Sequence, residues 1–333
     1  MNDWLLKNLV CPRDRQELTL TADKLRCAGG HQYSVIDEIP VMIFPDGQPT
    51  HGYLKRSLEE VELIENGASL DDVLRKGEMT NGVDGFVQAE LPYTNGNLYF
   101  PVQNRLTRYP LPHLRLAAAN GKRLLDVGCN WGRWTIQAAQ KGYRPVGVDP
   151  SLDAVMAARR ISRQLGVETT FVVGDARYLP FRDECFDVAF SYGVLQHFSK
   201  ENARLALAEM DRVLSENGKI LVQMPNKYGI RSFQQRWRRR FSEGEKFEVR
   251  YWTPSELTRT FRERFGNAKL TADCYFGLGI QVSDVDMMPL KYKAIVHISE
   301  LLRKMSKSMR PLAKLADSVY LESTKHSVKT VGR

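Results

Sequence analysis

Leu124-Leu125-Asp126-Val127-Gly128-Cys129-Asn130-Trp131-Gly132 reads as an apolar strand that runs into a tight glycine turn and opens a helix. Such a turn presents backbone N–H groups and a helix N-terminus at the carboxyl edge of a sheet, where open α/β folds bind ligands. The pattern continues outward from this stretch. Strands are predicted at Arg123–Val127, Pro145–Val148, Thr170–Val173, Val188–Tyr192 and Lys219–Gln223, with helices at Trp134–Lys141, Leu152–Leu165 and Asn202–Leu214. The strands are continuous apolar runs without alternation, as expected of strands buried on both faces. Strand–helix alternation predicts an α/β fold, a doubly wound and mostly parallel sheet.

The turn fits a dinucleotide poorly. The G-x-G-x-x-G pattern falls on Gly128, Asn130 and Arg133, one glycine in three, and a pyrophosphate needs close backbone approach. Asp149 ends the second strand 21 residues past Gly128 and precedes Pro150, placed to accept hydrogen bonds from a ribose. Gly174-Asp175-Ala176 ends the third strand. There a carboxylate can accept from an exocyclic adenine amine. Asp126 is placed to hold the turn and to meet a cationic ligand group.

Five segments occur in order: D-V-G-C-x-x-G, V-G-V-D-P, G-D-A-x-x-L-P-F, F-D-V-A-F-S and R-V-L-x-x-x-G-K-I-L-V. Together they resemble the class I S-adenosylmethionine (SAM) methyltransferases over roughly residues 122–226. The resemblance implies a Rossmann-like, seven-stranded, mostly parallel sheet and SAM as cofactor. It places Asp126, Gly128, Cys129, Asn130 and Gly132 in the methionine-side turn, and Asp149 and Pro150 at the ribose. Asp175 and Ala176 would flank the adenine, with Ser191 and Tyr192 beside the reacting methyl. Asn130 stands where the family usually has glycine, and Asn tolerates positive φ better than most residues. His197, just after the fourth strand, is the candidate general base for an oxygen acceptor; the alternative is a histidine that only packs its loop. The N-P-P-[FY] tetrapeptide of many amino-group methyltransferases is absent.

Residues 1–45 read as a small separate unit, with a helix at Trp4–Leu9 and four short strands. Leu5–Pro12 and Tyr33–Met42 resemble the zinc-ribbon-like domain related to the activator subunit of tRNA and release-factor methyltransferases. Its metal positions read Cys11-x-x-Asp14 and Cys27-x-x-x-His31, a candidate tetrahedral zinc set; the alternative is a metal-free module held by its own core. The second pair is also similar to the finger of guanine-specific rRNA methyltransferases. Residues 46–112 are expected to be linker and substrate lid. Tyr53–Leu74 has helical spacing, broken at Asn66-Gly67. Thr80–Tyr109, rich in Gly, Asn, Pro and Tyr, reads as a loop whose Tyr93, Tyr99, Phe100 and Asn104 would close over the site.

Residues 113–326 make the catalytic domain, with a basic helical insertion at about 286–315 and a tail at 327–333. Trp252-Thr253-Pro254-Ser255-Glu256-Leu257 carries a helix start. Sixth and seventh strands are expected at Lys269–Phe276 and Ser318–Lys325. Leu290–Leu315 reads as one amphipathic helix that Pro311 should kink or restart. Its apolar stripe either packs on the domain or lies on an anionic membrane.

Composition agrees with a globular chain: 333 residues, 43% hydrophobic and 26% charged. The five cysteines form no C-x-x-C pair, which argues against a disulfide framework. Without a signal-like start, the expected location is cytoplasmic, peripheral to the membrane if the basic helix binds lipid. The net charge of +9 is uneven. Residues 121–226 hold 14 Lys/Arg against 12 Asp/Glu, whereas residues 289–333 hold 10 against 3. A near-neutral centre, with motifs that resemble those of quinone and secondary-metabolite methyltransferases, favours a small or lipid-linked acceptor methylated on oxygen. Two other readings stand beside it. An RNA base methyltransferase would use the basic C-terminal surface, with Trp237 stacking beside arginines. A non-catalytic SAM-binding regulatory partner would use the N-terminal module to dock.

Overall fold

The computed structural model describes residues 1–44, 52–74, 78–245, 247–277, 279 and 281–325; the expected tail, 327–333, lies outside them. Helix α1 (Asp3–Asn8), capped by Asn2, leads into four short strands joined as antiparallel hairpins: β1 (Leu18–Thr21), β2 (Lys24–Cys27), β3 (Gln32–Ile36) and β4 (Ile39–Met42). Helices α2 (Gly52–Glu65) and α3 (Leu70–Val73) follow, on either side of the Asn66-Gly67 break. A short ribbon of β5 (Met79–Thr80) and β6 (Val83–Asp84) precedes α4 (Gly85–Asn95).

The alternating region then runs β7 (Arg123–Val127), α5 (Arg133–Gln140), β8 (Arg144–Asp149), α6 (Leu152–Gln164), β9 (Thr170–Gly174), β10 (Phe186–Tyr192), α7 (Lys200–Val213) and β11 (Leu214–Pro225). It ends with α8 (Ile230–Arg238), α9 (Pro254–Phe265), β12 (Lys269–Cys274), α10 (Leu290–Met305), α11 (Arg310–Ala313) and β13 (Ser318–Thr324). Thr253 and Glu256 form a reciprocal capping box at α9, with Pro254 in its first turn, as that stretch of sequence prescribes.

The strands form one sheet in the order β1-β2-β3-β4-β9-β8-β7-β10-β11-β13-β12. The seven from β9 to β12 make the expected doubly wound sheet, parallel except for β13, which runs antiparallel between β11 and β12. The N-terminal hairpins extend that same sheet, because β4 pairs in parallel with β9 through Val41–Val173 and Met42–Gly174. Leu5, Leu9, Leu25 and Tyr33 of this module share one core with Phe181, Phe186 and Val146.

Two expectations need correction. Thr80–Tyr109 is not a loop: it contains α4 and a 3-10 turn, Asn97–Val102. Asp84 caps α4, and Phe86, Val87 and Leu91 pack on Trp131, Ile136, Ala154, Ala157 and Ile161 of the main domain. That tertiary burial outweighs the turn-prone composition. Leu290–Leu315 is not one kinked helix either. It separates into α10 and α11, with the break at Ser306–Met309 and Pro311 in the first turn of α11. Its stripe divides too: Ile295 and Leu302 reach the cores, while Ile298, Leu301, Met305 and Met309 are exposed. Among the described residues no helix is long and apolar enough to cross a membrane.

Candidate active site

The carboxyl ends of β7, β8, β9 and β10 surround a cavity of about 890 Å³, its open mouth included. Its floor and walls are Gly128, Asn130, Val148, Asp149, Pro150, Ser151, Gly174, Asp175, Ala176 and Tyr192–Val194, with His197 and Phe198 beyond. The glycine turn is tied to the second strand by hydrogen bonds from the Gly128 and Cys129 amides to the Val148 carbonyl, 2.7 and 3.0 Å. Gly128 has φ +78°, and a Cβ there would lie 2.1 Å from Val194 Cγ2. Only glycine fits both the backbone and that approach. Asn130 adopts φ 47°, so asparagine serves where the family pattern has glycine.

Asp149 occupies the expected place. It is buried, its Oδ2 accepts from the Asn130 amide at 2.9 Å and its Oδ1 from the Ser151 amide at 3.0 Å. Both bonds fix the carboxylate on the cavity wall. Ser57 of α2 clamps the same turn from outside, donating to Pro150 O and accepting from Leu152 N, both 2.8 Å. Burial pushes the Asp149 carboxyl up to about 6, against the pull of those two amides. Burial pushes Asp126 up to about 7, with the Thr135 hydroxyl opposing and the Asp149 charge adding.

A raised folded-state value has a definite sign. The stability that these carboxyls contribute is present below their unfolded value near 3.9 and is lost as pH rises through about 6 to 7. A ribose held by Asp149 would work the other way, because only the ionised carboxylate can accept from two hydroxyls. SAM affinity, followed by calorimetry from pH 5 to 8, is expected to rise through about pH 6 while the stability contribution of the ligand-free pair falls; a flat affinity profile would contradict this.

Other predicted residues are arranged differently. Asp126 is fully buried behind the turn. Its Oδ2 accepts from Thr135 Oγ1 at 2.7 Å, its Oδ1 has no partner among the described residues, and it does not line the cavity. Cys129 is buried and Gly132, at φ +79°, caps α5 against Ala158 and Phe171; neither lines the cavity. Ser191 is a correction: its hydroxyl is buried and donates to Val127 O at 2.9 Å, which ties β10 to β7 below the site. Tyr192 does line the cavity. Its hydroxyl donates to Asp273 Oδ2 at 2.9 Å and accepts from Gln281 Nε2 at 3.1 Å. Asp273 is buried and paired with Arg115 at 3.0 Å, and it accepts from Ser318, which in turn is bonded to Gln223. The chain closes at Gly193, whose amide donates to Gln223 Oε1 at 2.8 Å. A fully bonded network of this kind holds the β10 loop rigid.

Asp175 also lines the cavity, but its carboxylate is clasped by Arg177, Nη2 to Oδ2 at 2.6 Å and Nε to Oδ1 at 3.1 Å. Both partners are buried. Arg177 carries only a weak local signal in the sequence, a basic residue two positions past a strand-end carboxylate.

The cover of the cavity differs most from expectation. Tyr93 lines it, carried by α4, which is anchored at both ends: Asp84 pairs with Arg160 of α6 at 2.8 Å, and Asn95 Oδ1 accepts from Trp131 Nε1 at 3.1 Å. Phe100 is exposed and backs Tyr93 edge-on at 5.4 Å. Tyr99 is a core residue whose hydroxyl donates to buried Asp284 at 2.5 Å, and Asn104 sits in an exposed turn at φ 59°. The remaining cover is Tyr53 of α2 and Phe247, in edge-on contact at 5.8 Å. His197 lines the cavity stacked on Phe247, 3.9 Å between ring centres. Its Nδ1 lies 2.6 Å from the Phe247 carbonyl, which can only accept, so Nδ1 carries the proton. The lone pair is then on Nε2, where the Gln196 amide donates at 3.1 Å.

The four predicted metal ligands come together. Cys11, Asp14, Cys27 and His31 bring their ligand atoms within 4.8 Å of one another. His31 Nδ1 lies 3.4 Å from each sulfur and 3.1 Å from Asp14 Oδ2, and Cys27 Sγ lies 3.6 Å from Asp14 Oδ2. A tetrahedron with bonds of about 2.0–2.3 Å has edges of roughly 3.3–3.8 Å, close to these separations. A Cβ at Gly29 would lie 2.4 Å from Asp14 Oδ2, so a larger residue there would push that carboxylate aside.

Comparison with known proteins agrees with the cavity. Residues 124–218 match the family described as a methyltransferase domain. The chain is 37% identical to the probable tRNA methyltransferase 9B of Homo sapiens over 31% of this chain and 21% of that protein. It is 33% identical to the uncharacterized methyltransferase YcgJ of Bacillus subtilis over 30% of this chain and 39% of that one. It is 30% identical to the ubiquinone biosynthesis O-methyltransferase of Azorhizobium caulinodans over 35% of this chain and 46% of that one. The chain thus spans less than half the length of each of these relatives. The sheet order, the turn with Asp149 and the sequence match agree: the chain carries a class I SAM-dependent methyltransferase domain.

Proposed function

We propose that the protein is a SAM-dependent methyltransferase acting on a small or lipid-linked acceptor, with the methyl going to oxygen. The observation that carries this reading is the cover of the cavity. Tyr53, Tyr93 and Phe247 close an aromatic rim over the strand ends, leaving a recess suited to a compact acceptor beside the cofactor. SAM supplies the sulfonium methyl. Asp149 holds the ribose, Asp175 and Ala176 border the adenine, and Tyr192 fixes the wall beside the acceptor. His197 lines the cavity and is the candidate base for an acceptor hydroxyl, which would have to displace the Gln196 amide from Nε2. The Azorhizobium caulinodans relative, a ubiquinone biosynthesis O-methyltransferase, is in line with this reading.

The RNA reading has its own support: the tRNA methyltransferase relative, and a basic groove beside edge strand β12 that includes Arg259, Arg262, Lys269, Lys307, Arg310 and Lys314. That groove shares no lining residue with the cavity, which weighs toward the smaller acceptor. Methyl-labelled SAM incubated with the protein and a cell extract separates the readings. Label is expected in the lipid or small-molecule fraction; label in RNA would overturn the proposal, and no label in any fraction would favour a non-catalytic SAM-binding partner.

We also propose that Cys11, Asp14, Cys27 and His31 hold one zinc ion that staples the N-terminal hairpins. Elemental analysis is expected to give about one zinc per chain, and Cys11→Ser to lower it sharply. A ratio near zero in protein purified without chelator would remove the metal.

A further inference from the structure

Helix α8 leaves the carboxyl end of β11, the same edge of the sheet as the cavity. Only Ser232 of its nine residues is buried. Ile230, Phe233 and Trp237, with Phe241 just past its end, follow the spacing of one helical face and are 63%, 50%, 67% and 51% exposed. The three rings touch one another rather than the core: Phe233 lies 6.3 Å from Trp237 and 5.7 Å from Phe241. Residues 226–241 carry Lys227, Arg231, Arg236, Arg238, Arg239 and Arg240 and no acidic residue. Among the described residues, Arg236, Arg238 and Arg240 have no carboxylate partner.

This face is built, not frayed. Buried Asp317 caps the helix by accepting from the Arg231 and Ser232 amides at 2.6 and 3.0 Å. It is also joined to the cavity rim. Arg239 pairs with Glu248 at 3.2 Å and donates to Val249 O at 2.9 Å, in the segment that carries Phe247. Arg250 continues the link, its amide donating to Gln196 O at 2.8 Å and its guanidinium to His197 O at 2.7 Å.

We infer that the α8 face docks the protein on an anionic lipid bilayer and turns the cavity mouth toward it. An exposed apolar stripe with a tryptophan and flanking arginines combines the two attractions that hold an amphipathic helix in a headgroup region. Charge complementarity selects an anionic surface. Ile230 offers no ring for a base to stack on, and it extends the same stripe, which favours a bilayer over single-stranded RNA. The inference rests on the lipid-linked form of the proposed acceptor.

The test is cosedimentation of the full chain with phosphatidylcholine vesicles made with and without phosphatidylglycerol. Binding is expected only with phosphatidylglycerol, weakening as salt rises. Trp237 is the most exposed tryptophan, so its fluorescence should shift to the blue on binding, and Trp237→Phe should lose that shift. The pair Phe233→Ser and Trp237→Glu is expected to lower vesicle affinity at least tenfold while leaving SAM affinity and thermal unfolding unchanged. Equal binding to neutral vesicles, binding indifferent to those substitutions, or Trp237-dependent binding of single-stranded RNA without vesicle binding would overturn the inference. Vesicle binding with no label in the lipid fraction would leave the docking face standing and remove the lipid-linked acceptor. Label in lipid without vesicle binding would do the reverse.

Discussion

Asp149→Ala is expected to weaken SAM binding by about a hundredfold or more. The carboxylate sits at the end of β8 on the cavity wall, where two ribose hydroxyls can donate to it. Hydrogen bonds to a charged group are each worth about 1.5–3 kcal/mol, so losing two of them amounts to at least two decades of affinity. The same oxygens accept from the Asn130 and Ser151 amides, so alanine also loosens the glycine turn. Asp149→Asn keeps the shape and one acceptor oxygen. It should fall between wild type and alanine in affinity, with a smaller change in unfolding. Equilibrium dialysis with labelled SAM, together with thermal unfolding of both variants, checks this. Wild-type affinity in Asp149→Ala would remove the cofactor from this wall.

Arg177→Met should be the most damaging single change to stability around the site. Arg177 and Asp175 form a pair in which both side chains are nearly out of solvent, at 5% and 9% exposure. Removing one partner leaves an uncompensated buried charge, at a cost of about 3–5 kcal/mol. Asp175→Asn added to Arg177→Met removes the stranded charge and should recover a large part of that loss. Urea unfolding of the wild type, the single variant and the double variant measures the coupling. Additive losses in the double variant would mean that the pair is not a unit.

The parts of this molecule that sequence alone made legible are those encoded within a few residues. The apolar run into Gly128, Asp149 after its apolar strand, and Asp175 after the next are local patterns, because strand, turn and ligand-facing edge follow one another along the chain. The four candidate metal ligands are also local in the sequence, since each pair lies in one tight turn: Cys11 and Asp14 where Arg15 N bonds to Cys11 O, Cys27 and His31 where Gly30 N bonds to Cys27 O.

What sequence hid is tertiary. Tyr53 and Phe247 reach the cavity from segments about 190 residues apart, and nothing near either one says so. The α4 region reads as loop because Gly, Asn and Pro are frequent in it. It is helical because Arg160 and Trp131, from other elements, hold its two ends. Ser191 and Tyr192 are neighbours in a strand, so their side chains point to opposite faces, and only Tyr192 can face the cavity. Tyr99 has the residue type of a lid, yet its hydroxyl has a buried partner 185 positions away in Asp284.

The central claim is that SAM sits at the carboxyl ends of β7, β8 and β9, beneath Tyr53, Tyr93 and Phe247. A crystal structure of the full chain with S-adenosylhomocysteine tests it most directly. The expected result is density for the ribose at Asp149 and for the adenine beside Asp175 and Ala176. Density elsewhere, or an empty cavity at saturating ligand, would contradict it.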